Sequence, residues 1–178
     1  MLRPRCVELV LAILGARRSG VFLNARSIGV ANNPFPIGLL PPSLEEGAAA
    51  VAHQLLRGAA AAAKENASYA CNFLAAWAAE CALKSILAAS GLDEDTLRKS
   101  PYGHDIRALW KAAEEVQPAL GPLPKWAEVL AELHVSPFHL RYHSKVHGMQ
   151  MPNAESAVTG LKALLVQMDQ RQSSAARR

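Results

Sequence analysis

Aromatic residues are scarce in this sequence: Phe, Trp and Tyr make up 6% of its 178 residues, although 51% of the chain is hydrophobic. Alanine carries much of the apolar mass, in Ala48–Ala50, Ala59–Ala63, Ala75, Ala76, Ala78 and Ala79. A chain so built is helical with thin seams, because Ala is the strongest helix former and lets helices approach closely. Cysteine is also sparse, with three in all. Cys71 and Cys81 would lie roughly 15 Å apart along one helix, too far for a disulfide. Scattered thiols of this kind exclude a disulfide framework and a Cys-based metal site, and suit a reducing, cytoplasmic setting. Long hydrophobic runs are missing from the start of the chain. Val7 to Gly15 is shorter than the roughly 20 residues a membrane span needs, and Glu8 interrupts it. Arg17 and Arg18 follow where a secretory cleavage site wants small residues, so no membrane role is expected. No segment alternates with period two over a strand's length. Phosphate-cradling glycine loops, G-x-S-x-G and H-E-x-x-H are absent as well.

Charge is present but unevenly placed. The formal net charge is +4 and the isoelectric point about 9.2. Residues 1–30 alone hold five arginines against Glu8, and the last eight residues add Arg171, Arg177 and Arg178. Residues 31–170 carry eleven basic and fourteen acidic side chains, so the body is mildly acidic. Overall basicity therefore does not identify a nucleic-acid binder, and a local patch is required. Composition divides the chain into a poorly ordered N-terminal extension (1–42), a helical body (43–170) and a flexible basic tail (171–178).

Within the body the periodicity predicts an all-α antiparallel bundle of about five helices. Ser43 with Glu46 forms a capping box after Pro42, opening a helix through Val51, Leu55 and Leu56 to about Ala63. Lys64-Glu65-Asn66 breaks it. Tyr69, Phe73, Trp77, Leu83 and Leu87 mark a second helix, stopped at Gly91. An acidic connector (Asp93, Glu94, Asp95) leads to a third helix from His104-Asp105, burying Ile106, Leu109, Trp110, Ala113 and Val116. A shorter fourth helix runs from Pro124 with Trp126, Val129, Leu130 and Leu133 on one face. A fifth runs from Asn153 or Ala154 through Val158, Leu161, Leu164, Leu165 and Met168, fraying at Gln172. Between the last two lie about 17 residues, Ser136 to Pro152, with no helical period; connections that long are usually functional or disordered.

That connection belongs to a stretch, His134 to His147, which holds four of the six histidines together with Arg141 and Lys145. No carboxylate lies between Glu132 and Glu155, so this is the local basic patch that the acidic body otherwise lacks. Imidazole shuttles protons near neutral pH, and Arg grips phosphate through a bidentate contact. A solvated loop with incidental histidines is the plainer alternative. His139, His143 and His147 recur every four residues, yet on a helix the outer two would lie about 12 Å apart and could not share an ion. No metal is therefore expected on this stretch. Glu80 falls within the apolar stripe of the second helix and has Lys84 one turn later, which predicts an intrahelical pair near the helix edge. Alternatively, Glu80 orients Arg141 or a histidine from the His134–His147 stretch. Asp105 complements the dipole of the third helix, and His104 caps it or packs nearby.

Taken in order, Glu80-x-x-x-Lys84 within AAECALKSILAASG, Gly103-His104-Asp105-Ile106, and the Arg/His stretch before the last helix resemble the HEPN family of small helical bundles. The resemblance covers roughly residues 43–170. The family's hallmark is an Arg and a His with four to six residues between them, matched here by Arg141 and His147, with Tyr142 following the Arg and His143 as a rival to His147. The resemblance implies a metal-independent endoribonuclease of toxin or defence type, without a cofactor. Arg141 would stabilise charge on the scissile phosphate and His147 would transfer protons. Glu80, Lys84, His104, Asp105, Tyr142 and His143 would be supporting residues. It also implies a homodimer, RNA as substrate and a nucleotidyltransferase partner. Other relatives of the GHD-containing kind are non-catalytic modules for binding RNA, nucleotides or protein partners.

Overall fold

The computed structural model describes residues 43–134 and 151–175. The expected N-terminal extension lies outside these residues, as do Arg141, Tyr142, His143 and His147. Among the described residues there are six α-helices and one 3-10 turn, with no strand. The all-α reading of the sequence is correct.

Helix α1 spans Leu44–Lys64 and α2 spans Ser68–Ala88. The capping box forms as expected: Ser43 Oγ accepts from the Glu46 amide at 3.2 Å, and Glu46 Oε2 accepts from the Ser43 amide at 3.1 Å. Asn66, in the left-handed region at φ 56°, turns the chain back between the two helices. They pack antiparallel, since Ser85 Oγ donates to the Glu45 carbonyl at 2.9 Å near one end and Gly58 lies against Leu74 toward the other. Small residues are prominent among the buried positions of both helices: Ala52 and Ala59 on α1 and Ala75, Ala76, Ala78, Ala79 and Ala82 on α2 are fully buried.

The acidic connector holds a short helix that the sequence reading did not expect, α3, Glu94–Arg98. Asp93 caps it by accepting from the Thr96 amide at 2.7 Å, and buried Leu97 anchors it. Helix α4 spans Ile106–Val116 and is followed by the 3-10 turn Pro118–Leu120. Helix α5 spans Lys125–His134 and α6 spans Ala154–Ala175. Helix α2 is central and touches α1, α4, α5 and α6. By length and composition it could cross a membrane, but 67% of its most apolar stretch is buried within the bundle, as in a core helix.

Two expectations need correction here. The stretch His134 to His147 does not begin as a solvated loop, since His134 is the buried last residue of α5. Leu130 and Leu133 hold that end of α5 in the core, which carries the next residue inward with them. Arg171 and Gln172 do not belong to a flexible tail, because α6 continues to Ala175. Arg171 Nη2 donates to Ser90 Oγ, and Gln172 Nε2 donates to the Glu45 carbonyl and to Ser85 Oγ, each at 3.0 Å. At the other end of α6, Asn72 Nδ2 donates to the Pro152 carbonyl at 3.1 Å. These contacts make α6 run alongside α2 in the same direction.

Candidate functional site

Trp77, Glu80 and Lys84 follow one another at intervals of three and four along α2, so they share a face. On this helix the opposite demands of burial and charge meet at Glu80, which is 3% exposed. A carboxylate so placed must find partners, since an uncompensated buried charge is costly. Three are present. Lys84 Nζ donates to Oε1 at 2.7 Å, as the i, i+4 spacing predicts. His104 Nδ1 lies 3.0 Å from Oε2 and 3.2 Å from Oε1, and His134 Nε2 lies 2.6 Å from Oε2.

Each partner is delivered by local structure. Asp105 is the N-cap of α4, accepting from the amides of Arg107 at 2.9 Å and Ala108 at 3.1 Å. That cap fixes the entry of α4, and His104, one residue earlier, is turned toward α2. Asp105 thus acts as the cap itself rather than as an acid within the first turn, and His104 does not cap. His134 arrives from the last turn of α5. An ion pair from Arg107 Nη2 to Glu132 Oε1, 2.9 Å, ties the start of α4 to the end of α5 and keeps the two histidines on one side of Glu80. Trp77 closes the cluster. Its ring stands edge-on to His104 at 5.6 Å and 70°, and to His134 at 5.0 Å and 85°.

The cluster is asymmetric in its access to solvent. The side chains of Glu80 and His134 are 4% and 2% exposed, whereas that of His104 is 43% exposed. Burial pushes the Glu80 carboxyl up, but the hydrogen bonds from His134, Lys84 and His104 together outweigh burial and lower its pKa to about 2. Glu80 is therefore an anion at neutral pH and serves as an acceptor. Next to it, burial and the Glu80 charge push the Cys81 thiol up to about 11, so this cysteine is no nucleophile at neutral pH.

The sequence reading placed Glu80 near the helix edge, paired with Lys84. The pair exists, but Glu80 is buried and also receives two histidines, one of them from the His134–His147 stretch. His134 had been noted only as part of that stretch. Its signal in the sequence is its place four residues after Leu130 on the buried face of α5. Trp77 was read as core and is only partly buried, serving as the wall of the cluster. Arg141, Tyr142, His143 and His147 lie outside the described residues, but both flanks of their segment are fixed on α2. His134 bonds Glu80 on one side, and Pro152 accepts from Asn72 on the other. These two anchor points are about 12 Å apart along the helix axis. No protein-family model, no curated protein and no solved structure matches this chain.

Proposed function

We propose that this protein is a HEPN-like endoribonuclease that works without metal in its chemistry, with Arg141 and His147 as the reacting pair. The observation that carries this reading is the anchoring of both flanks of the Arg141–His147 segment on α2, one of them through the buried Glu80 cluster. Glu80, Lys84 and His104 are among the residues that carry the resemblance to that family, and here they form one hydrogen-bonded unit.

The chemistry assigns each group a task. The ribose 2′-oxygen bonds to the adjacent phosphorus as the bond to the 5′-oxygen breaks, leaving a 2′,3′-cyclic phosphate and a free 5′-hydroxyl. His147 moves the proton that this exchange requires, and Arg141 offsets the negative charge gathering on the phosphoryl oxygens. Glu80, His104 and His134 hold the scaffold and do not touch RNA in this scheme. A homodimer, with a nucleotidyltransferase as a second partner, belongs to the same proposal.

A second reading is a non-catalytic module that binds RNA, a nucleotide or a protein partner. In it too the Glu80 carboxylate, bonded by Lys84, His104 and His134, is part of the scaffold. One experiment separates the two. Full-length protein is incubated with RNA in EDTA, beside Arg141→Ala and His147→Ala. The enzyme reading expects cyclic-phosphate ends from the wild type and a loss of roughly 100-fold or more in each variant. Cleavage undiminished in both variants overturns it. No cleavage by the wild type, with RNA retained in a stable complex, supports the binding module instead.

A further inference from the structure

We infer that Glu80, His104 and His134 form a binding site for a divalent transition-metal ion, zinc above all, separate from the Arg141/His147 chemistry. Two imidazole nitrogens and one carboxylate oxygen, all within 4.8 Å of one another, converge from α2, the turn before α4 and the last turn of α5. That donor set is among the usual three-residue sets for zinc with an open fourth position. Imidazole donors select zinc and its neighbours over magnesium or calcium, which prefer oxygen alone.

The geometry is near what an ion needs. Ligand atoms about 2.0–2.2 Å from a tetrahedral ion stand roughly 3.3–3.5 Å from each other. Glu80 Oε2 is now 3.0 Å from His104 Nδ1 and 2.6 Å from His134 Nε2. The two imidazole nitrogens must therefore each move off Oε2 by less than about an ångström, and they lie within 4.8 Å of each other. On binding, each imidazole coordinates through the nitrogen that now faces Glu80, and its proton moves to the other ring nitrogen or to solvent. Lys84 holds Oε1 and leaves Oε2 for the metal, orienting the carboxylate as outer hydrogen bonds do around metal ligands. The Lys84 side chain is 18% exposed, so its ammonium can lean toward water to ease repulsion from the ion. Access runs past His104, the exposed member of the set, and Trp77 packs edge-on against both imidazoles.

The test uses untagged full-length protein stripped with EDTA and titrated with Zn2+ by calorimetry and elemental analysis. One equivalent per chain is expected. A triple variant, His139→Ala/His143→Ala/His147→Ala, should keep it, whereas His104→Gln and Glu80→Gln should lower the affinity roughly 100-fold or more. His104→Gln can still bond Glu80, and retention of the helical circular-dichroism signal checks its fold. Should it fail to fold, zinc-edge X-ray absorption of the triple variant decides, with two imidazoles and oxygen donors expected. No uptake by the wild type, uptake lost in the triple variant, or uptake unchanged in His104→Gln each overturns the site. Arg141→Ala should lose cleavage while binding zinc normally, so failure of the ribonuclease reading and failure of the metal site are distinguishable.

Discussion

Helix α2 has two faces with opposite solutions to burial. Toward α1 it packs closely, with Gly58 against Leu74, buried alanines on both helices and Ser85 near one end making a cross-helix hydrogen bond. Toward α4 and α5 it carries Trp77, Glu80 and Lys84 and buries a carboxylate among three donors. The first face is held by close approach, and each contact in it is small and replaceable. The second is held by a few directional bonds whose partners depend on one another. Stability should therefore be spread thinly over the alanine layer and concentrated at Glu80.

The largest effect expected is at Glu80. Replacing it by Ala removes the carboxylate that buried His134, Lys84 and His104 all bond, a loss of about 3–5 kcal/mol. Urea unfolding of metal-stripped protein measures it, and a loss below about 1 kcal/mol would mean that the cluster is no more critical than a surface pair. Acid should reproduce most of this loss in the wild type. The Glu80 carboxyl sits at about 2 in the folded protein against 4.5 for an unperturbed glutamate. A lowered folded pKa gives stability that is present in full above about pH 4.5 and is lost as pH falls toward about 2. The shift corresponds to something on the order of 3 kcal/mol. Comparing the wild type with Glu80→Gln across that window isolates this residue from other carboxylates; parallel stability curves would show that Glu80 does not titrate there.

The same contrast explains what could be read from the sequence. The alanine layer, the capping box at Ser43, and the helix ends at Asn66 and Gly91 all follow from local spacing, and the structure has them. Helix α3 escaped because five residues are too few for a period and its acidic start resembles a linker, although Asp93 with Leu97 is a cap and an anchor. Glu80 with Lys84 was legible because both lie on one turn. His104 and His134 stand 24 and 54 residues from Glu80, and only the packing of α4 and α5 brings them to it. Local patterns announce pairs within a helix, whereas a cluster drawn from three segments becomes visible when the helices are assembled.

The smallest effect expected probes the alanine face. Gly58 lies inside α1, and a methyl added there would meet Leu74 Cδ1 of α2 at 3.1 Å, tighter than ordinary contact. Glycine within a helix costs about 1 kcal/mol relative to Ala, so Gly58→Ala begins with that gain. Against it stands the displacement of one Leu74 methyl, and Leu74 is only partly buried, with room to rotate. The gain should win by a few tenths of a kcal/mol, raising the thermal midpoint by roughly 1–3 °C. If the variant is instead destabilised by more than about 1 kcal/mol, the layer between α1 and α2 is rigidly packed. Its stability would then be concentrated like that of the Glu80 face, and the contrast between the two faces would lie in polarity alone.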